Sequence, residues 1–238
     1  MKKIKLASMM GLLVLFGACK SEDVAPTGAV PVTSNFTFES GLEGWQAGFA
    51  DYPEASREIY DLQAAHELVP ANLNPRTYSI RISGTNRSDD LFMFVKKQVT
   101  GLRPNQTYQL TFDLTLASKY PQGSVGVGGS PGGSVALKAG ASQVEPNPVL
   151  NGQGFWLMNI DKSNQSQPGR DMQVLGTIGI EGNAFVYERI TRSNRATPMR
   201  VTADATGKLW LIVGTDSGFE GLTTLYYDEI KAQFQPVE

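Results

Sequence analysis

Residues 107–117 alternate with period two: Tyr108, Leu110, Phe112, Leu114 and Leu116 fall on one face, and Gln109, Thr111, Asp113 and Thr115 on the other. Successive side chains of a strand point to opposite sides, so this pattern predicts a strand with one buried face. Tyr78, Ile80 and Ile82 alternate with Ser79, Arg81 and Ser83 in the same way. Residues 209–213 form a short continuous apolar run instead, as expected of a strand covered on both faces. Val99-Thr100-Gly101-Leu102-Arg103-Pro104-Asn105-Gln106 supplies the turn between the strand at 91–99 and the one starting at Thr107. Glycine and proline mark further turns at 121–133, 146–154, 168–169 and 179–182. Strands at this spacing, with no long amphipathic helix between them, predict an all-β chain. The expected architecture is an antiparallel β-sandwich with long loops and at most short helical turns. One stretch, 53–69, carries Ile59, Leu62, Ala65 and Leu68 at helical spacing and reads as a loop insertion with a helical turn or two.

The amino terminus follows a different pattern. Lys2, Lys3 and Lys5 precede a mostly apolar stretch, 6–18, ending Leu15-Phe16-Gly17-Ala18, and Cys19 follows at once. A charged start, an apolar segment and small residues before the cut are the marks of a secretory signal. A cysteine directly after the small residues is the mark of a bacterial lipoprotein, whose thiol and new amino terminus are acylated. The apolar stretch is shorter than the about 20 residues a membrane-spanning helix needs, whereas two or three acyl chains anchor stably. Residues 1–18 thus read as the signal peptide, 19–33 as the lipidated cysteine and a flexible tether interrupted by Pro26, Gly28 and Pro31, and 34–238 as one β-sandwich domain. Lys20-Ser21-Glu22-Asp23 resembles the acidic surface-export tags on lipoproteins of gut-type Bacteroidetes. That implies an outer-membrane lipoprotein facing the cell exterior.

Composition narrows the partners. Loss of the signal removes three of the 21 basic residues and none of the 23 acidic ones, so 18 face 23 and the mature charge is about −5. Such a balance argues against nucleic acid, which is bound through a basic stripe. Cys19 is the only cysteine, which excludes intramolecular disulfides and zinc–thiolate sites.

Both ends of the domain carry a family resemblance. Phe36-Thr37-Phe38-Glu39-Ser40-Gly41-Leu42-Glu43-Gly44-Trp45 resembles the opening of galactose-binding-like carbohydrate-binding modules, and Leu225-Tyr226-Tyr227-Asp228-Glu229-Ile230 resembles their last strand. The segment from Val99 to Tyr108 is similar to a turn-plus-strand unit of the same modules. The domain also resembles a group of uncharacterised Bacteroidetes lipoproteins through 88–94, 126–132 and 214–221. The first resemblance implies a galactose-binding-like jelly-roll β-sandwich whose first and last strands lie side by side, with Glu39 and Asp228 holding a structural calcium ion, a hard cation that takes several oxygen ligands.

The resemblance also implies a glycan ligand, bound by aromatic rings stacked on sugar faces with polar side chains on the hydroxyls. Tyr52, Trp156, Asp216, Phe219 and Glu220 are the candidates, because they stand in polar or glycine-rich surroundings. Trp45 and Trp210 read as core. The polar run 159–166 is able to form a ligand loop. Catalysis finds little support. His66 is the only histidine, its neighbours form no nucleophile elbow, and it reads as an exposed loop residue. Asp89, Asp90, Glu58 and Asp61 are acids without a catalytic pattern. The glycine-rich run 126–133 lacks the Gly-Lys-Ser/Thr ending of a phosphate loop and reads as a hairpin connection. The sequence therefore points to a non-catalytic, lipid-anchored glycan-binding protein, with a structural or adhesive lipoprotein that contacts another protein as the alternative and a glycan-active hydrolase third.

Overall fold

The computed structural model describes Met1, residues 30–88 and residues 90–238; Cys19, the signal segment, most of the tether and Asp89 lie outside the described residues. The described chain is all-β with antiparallel sheets. The larger sheet runs β12 (Glu188–Ser193), β7 (Thr107–Ser118), β15 (Leu222–Pro236), β5 (Tyr78–Thr85) and β4 (Gln63–Leu68). In addition β1 (Val32–Phe36) pairs with β15 and β13 (Met199–Thr202) with β7. The second sheet runs β11 (Met172–Thr177), β8 (Val135–Ser142), β14 (Leu209–Ser217), β6 (Leu91–Val99) and β2 (Gln46–Ala50). A small third sheet joins β3 (Tyr52–Pro53), β10 (Phe155–Met158) and β9 (Pro148–Leu150).

The two large sheets face each other across one apolar core. Leu110, Phe112, Leu114, Leu116, Ile230 and Phe234 meet Met93, Val95, Leu137, Leu211 and Val213 there. The period-two face read from 107–117 is thus the core face of β7. The first and last strands do lie side by side, Val32 opposite Phe234 and Phe36 opposite Ile230. Trp45 is buried in this core, edge-on to Phe36 with ring centroids 5.4 Å apart.

Three expectations change. The stretch 53–69 forms a 3₁₀ helix at Glu54–Tyr60, then the edge strand β4, which pairs with β5 from Gln63 opposite Ser83 to Leu68 opposite Tyr78. Pairing with an existing sheet satisfies the backbone there, which outweighs a weak helical period. His66 accordingly sits on a strand, half-buried, with Nε2 2.7 Å from the Phe38 carbonyl and its ring stacked on Tyr78. The glycine-rich run is not a hairpin, because β7 and β8 belong to different sheets and the chain crosses between layers.

The outer face of the second sheet is also covered. Along β14, Leu209, Leu211 and Val213 enter the main core, while Trp210, Ile212, Gly214 and Asp216 point the other way. Trp210 is therefore half-buried on the outer face, with the Lys96 ammonium 5.4 Å from its ring centre, and not in the main core. Phe92, Phe94, Ile212 and Ala50 form a second apolar cluster beneath Ile160, Met172 and Met158. The third sheet and the segment 159–171 are the roof over this cluster. Gly140 permits its closest approach: a Cβ there would lie 1.9 Å from the Asp171 carbonyl oxygen. Replacing Gly140 by alanine is expected to destabilise the protein by about 1–3 kcal/mol through this overlap. A shift in the urea midpoint measures the loss, and increased exchange of amides 160–172 locates it in the roof.

Candidate functional site

Three segments singled out in the sequence converge at one end of the second sheet. Asn86 donates from Nδ2 to the carbonyls of Ser217 at 2.8 Å and Phe219 at 3.0 Å, and its Oδ1 accepts from Leu91 N. The Gly218 amide donates to Ser134 O and the Glu220 amide to Val127 O, both at 2.9 Å. Gly128, at a φ of 72°, lies so close to Gly218 that a Cβ would meet its carbonyl oxygen at 2.5 Å. Side chains rarely adopt that φ, so both the space and the conformation call for glycine here.

Beneath this junction a charged cluster is buried. Lys162, from the roof, places Nζ 2.7 Å from Asp51 Oδ2 and 2.8 Å from Asp216 Oδ2. Lys138, on β8, reaches the same Asp216 oxygen at 3.2 Å. Asp90 completes the group, and one carboxylate oxygen each from Asp51, Asp90 and Asp216 lies within 4.8 Å of the others. Burial pushes the Asp51 carboxyl up, against the pull of Lys162. Burial likewise pushes the Lys138 ammonium down, partly offset by Asp216. For Lys162 burial acts downward too, but the carboxylates of Asp216 and Asp51 outweigh it and hold the ammonium above its usual range.

The roof is shaped to deliver Lys162. The Asp161 and Asp171 backbones and side chains tie its two ends together: Asp171 N donates to Asp161 O at 2.9 Å, and Asp161 N to Asp171 Oδ2 at 2.8 Å. Asp161 also accepts from the amides of Ser163 and Arg170. Those backbone bonds, Arg170 first, hold the Asp161 carboxyl below its usual range.

Two cavities open on this loop. One of about 220 Å³ is lined by the polar residues Asp51, Asp90, Asp161, Lys162, Ser163 and Asn164 and by the apolar residues Leu157, Met158 and Ile160. A second, of about 290 Å³, is lined by Gln165 and Ser166 from the same loop with Gly128, Ser134, Thr177 and Gly218. The polar run 159–166 thus supplies consecutive residues to both.

The five ligand candidates fare differently. Tyr52 is 3% exposed and packs on Tyr60, ring centroids 5.6 Å apart. Trp156 pairs with Tyr52 across β10 and β3, is half-buried, and donates its indole N–H to Glu54 Oε2. Asp216 has no solvent exposure, is held by the two lysines and lines neither cavity. The Phe219 ring lies against Gly126 and Gly221, where added Cβ atoms would overlap it at 2.4 and 2.3 Å. Glu220 is exposed. Sequence reasoning missed Lys138 and Lys162. The signal for Lys138 was present, a lone charge inside the apolar run Val135-Ala136-Leu137-Lys138-Ala139.

The residues expected to hold calcium have other partners. Asp228 Oδ1 accepts from Thr77 Oγ1 at 2.5 Å and Oδ2 from Arg189 Nε at 2.6 Å. Arg189 also donates to Pro75 O and Thr77 Oγ1. Glu39 Oε1 accepts from the neighbouring Tyr78 amide at 3.2 Å. A guanidinium thus stands as the cation at Asp228, and this donor set does not fit a calcium ion.

No known protein-family profile matches the chain, and no curated protein matches it. Among solved structures it is similar to a carbohydrate-binding module of the β-sandwich superfamily described for promiscuous specificity, at 14% identity and TM-score 0.39, with 85% of this chain and 61% of that one covered. It is similar to the CBM22-1 xylan-binding domain of Paenibacillus barcinonensis Xyn10C at 12% identity and TM-score 0.40, covering 86% and 95%. It is also similar to TmCBM27, a module described for specific mannan recognition, at 13% identity and TM-score 0.39, covering 87% and 99%.

Arg189→Ala is expected to cost roughly 3 kcal/mol, because it strands the buried Asp228 carboxylate. Denaturant unfolding checks this, and EDTA is expected to leave the wild-type midpoint unchanged.

Proposed function

We propose that the protein binds carbohydrate without cleaving it, at the two cavities on either side of the 159–166 loop. The observation that carries this reading is that the polar run 159–166 lines both cavities, beside Leu157, Met158 and Ile160 in the smaller one. Sugar rings present hydroxyls at the rim and C–H faces above and below. Asp161, Ser163 and Asn164 offer donors and acceptors in the smaller cavity, and Leu157 and Met158 offer apolar surface there. Both volumes fall below the ~300–1,000 Å³ of drug-sized ligand pockets, a size suited to one sugar unit each along a chain. The structural neighbours named for xylan and mannan are in keeping with the reading, but the cavities carry it.

Hydrolysis is a poorer fit. One oxygen from each of Asp51, Asp90 and Asp216 lies within 4.8 Å of the others, and Asp51 and Asp216 are held by Lys162. A glycosidase sets its two carboxyls about 5–9 Å apart across the bond it cleaves. In our reading the lipid on Cys19 holds the domain at the outer membrane, facing the cell exterior, where captured glycan would pass to a partner hydrolase or transporter. A second reading, contact with another protein, is favoured by one feature. Val149, Leu150, Phe155 and Leu157 are exposed together on the small sheet, with Leu157 opposite Val149.

A glycan array with the purified protein tests the first reading. Binding to at least one polysaccharide is expected, with Asn164→Ala/Ser166→Ala weakening it tenfold or more; absence of binding to any glycan would sink it. For the anchor, Cys19→Ser is expected to stop incorporation of labelled palmitate and to move the protein from the membrane to the soluble fraction. Palmitate retained by that variant would refute lipidation at Cys19.

A further inference from the structure

The cluster under the roof is short of one positive charge. Three carboxylates, Asp51, Asp90 and Asp216, face two ammoniums, Lys138 and Lys162. Two oxygens also lack partners: among the described residues, Asp90 Oδ1 and Asp216 Oδ1 are buried and receive no hydrogen bond. Asp216 is wholly buried, so no bulk water reaches it. Buried acceptors of this kind are nearly always paired, and an unpaired charged one costs several kcal/mol.

One added charge that also bridges two acceptors would remove both defects. A divalent metal would overshoot by one charge and would meet the Lys162 ammonium, which already stands between Asp51 and Asp216. A proton does both without displacing any side chain. We propose that Asp90 and Asp216 share one proton between their Oδ1 atoms, and that this proton makes closure of the roof over the smaller cavity depend on pH. Like charges forced together behave in this way, since two adjacent carboxylates cannot both ionise cheaply.

The groups facing Asp90 are Lys162 on the roof, Asp216 on β14, and Asp51 at the junction of β2 and β3, with Lys138 behind Asp216 and Asp161 at the cavity rim. Burial, opposed by Lys162 and reinforced by Asp216 and Asp51, pushes the Asp90 carboxyl up to about 7. In the unfolded chain it titrates near its ordinary value of 3.8. Between those values the folded state holds a proton that the unfolded state has released. Stability contributed by the pair is therefore full below about 4, falls as pH rises, and is gone above about 7. Above that range the cluster carries an uncompensated negative charge. Admitting water by opening 159–164 would relieve it, so the roof loosens as the proton leaves.

The inference stands apart from the carbohydrate reading, because its readouts use no ligand. Melting temperatures of wild type and Asp90→Asn are compared between pH 5 and 9; the asparagine amide can donate to Asp216 as the shared proton does. The two proteins are expected to melt within a few degrees of each other at pH 5, and the variant several degrees above wild type at pH 8.5. Amides 160–164 of wild type, corrected for intrinsic exchange, are expected to lose roughly tenfold protection between pH 6 and 8.5, and those of the variant to keep it. A variant that melts below wild type by the same margin at every pH overturns the proposal. So does an Asp90 carboxyl carbon that titrates below pH 5 in wild-type NMR spectra. A calcium-dependent rise in wild-type melting temperature at pH 8.5, absent in the variant, would likewise overturn it in favour of a metal.

Discussion

At the far end of β14 a carboxylate with no access to water, Asp216, holds two ammonium groups from different parts of the chain on a single oxygen. Lys138 comes from the neighbouring strand and Lys162 from the roof, which bridges onward to Asp51 at the turn between the second and third sheets. Removing one partner of a buried pair typically costs about 3–5 kcal/mol, although the intact pair adds little net stability because desolvation offsets its attraction. Such a pair mainly selects geometry. Here it selects where the roof sits: Lys162 can satisfy both acids only when 159–171 lies across the outer face of the sheet.

That placement determines what the molecule can offer a ligand. The outer face of the second sheet would otherwise present Phe92, Phe94 and Ile212 to solvent; Ile160, Met158 and Met172 cover them. The roof leaves crevices lined by carboxylates, small residues, Leu157, Met158 and the polar residues of 161–166. Crevices of this make-up offer hydrogen bonds and shape, with no broad aromatic platform: Tyr52 packs on Tyr60, and Phe219 lies against Gly126 and Gly221.

The opposite sheet shows the same economy of charge. The first and last strands meet where β1 lies along β15, and the acid just beyond, Asp228, is matched by Arg189 from β12, with Thr77 completing the set. A guanidinium has five donors in a rigid fork and can tie a carboxylate, a hydroxyl and a carbonyl together at once. Side-chain cations face the buried acids on both sheets, one for one at Asp228 and two for three in the Asp51–Asp90–Asp216 group.

The strands at 78–83, 107–117 and 209–213 and the all-β class could be read from the sequence, because alternation and turn residues are local properties of the backbone; the adjacency of the first and last strands followed only from the family resemblance. The role of individual side chains was another matter. Period two states which residues share a face of a strand, but coverage of that face comes from segments far away in sequence. Trp210 looked like core and lies on the outer face; His66 looked like a loop residue and bonds to Phe38 from a strand. Asp216 looked like a ligand contact, and its meaning depends on Lys138, 78 residues away, and Lys162, 54 residues away. The pairing of buried charges is decided by three-dimensional proximity in a low dielectric, and no local pattern encodes it.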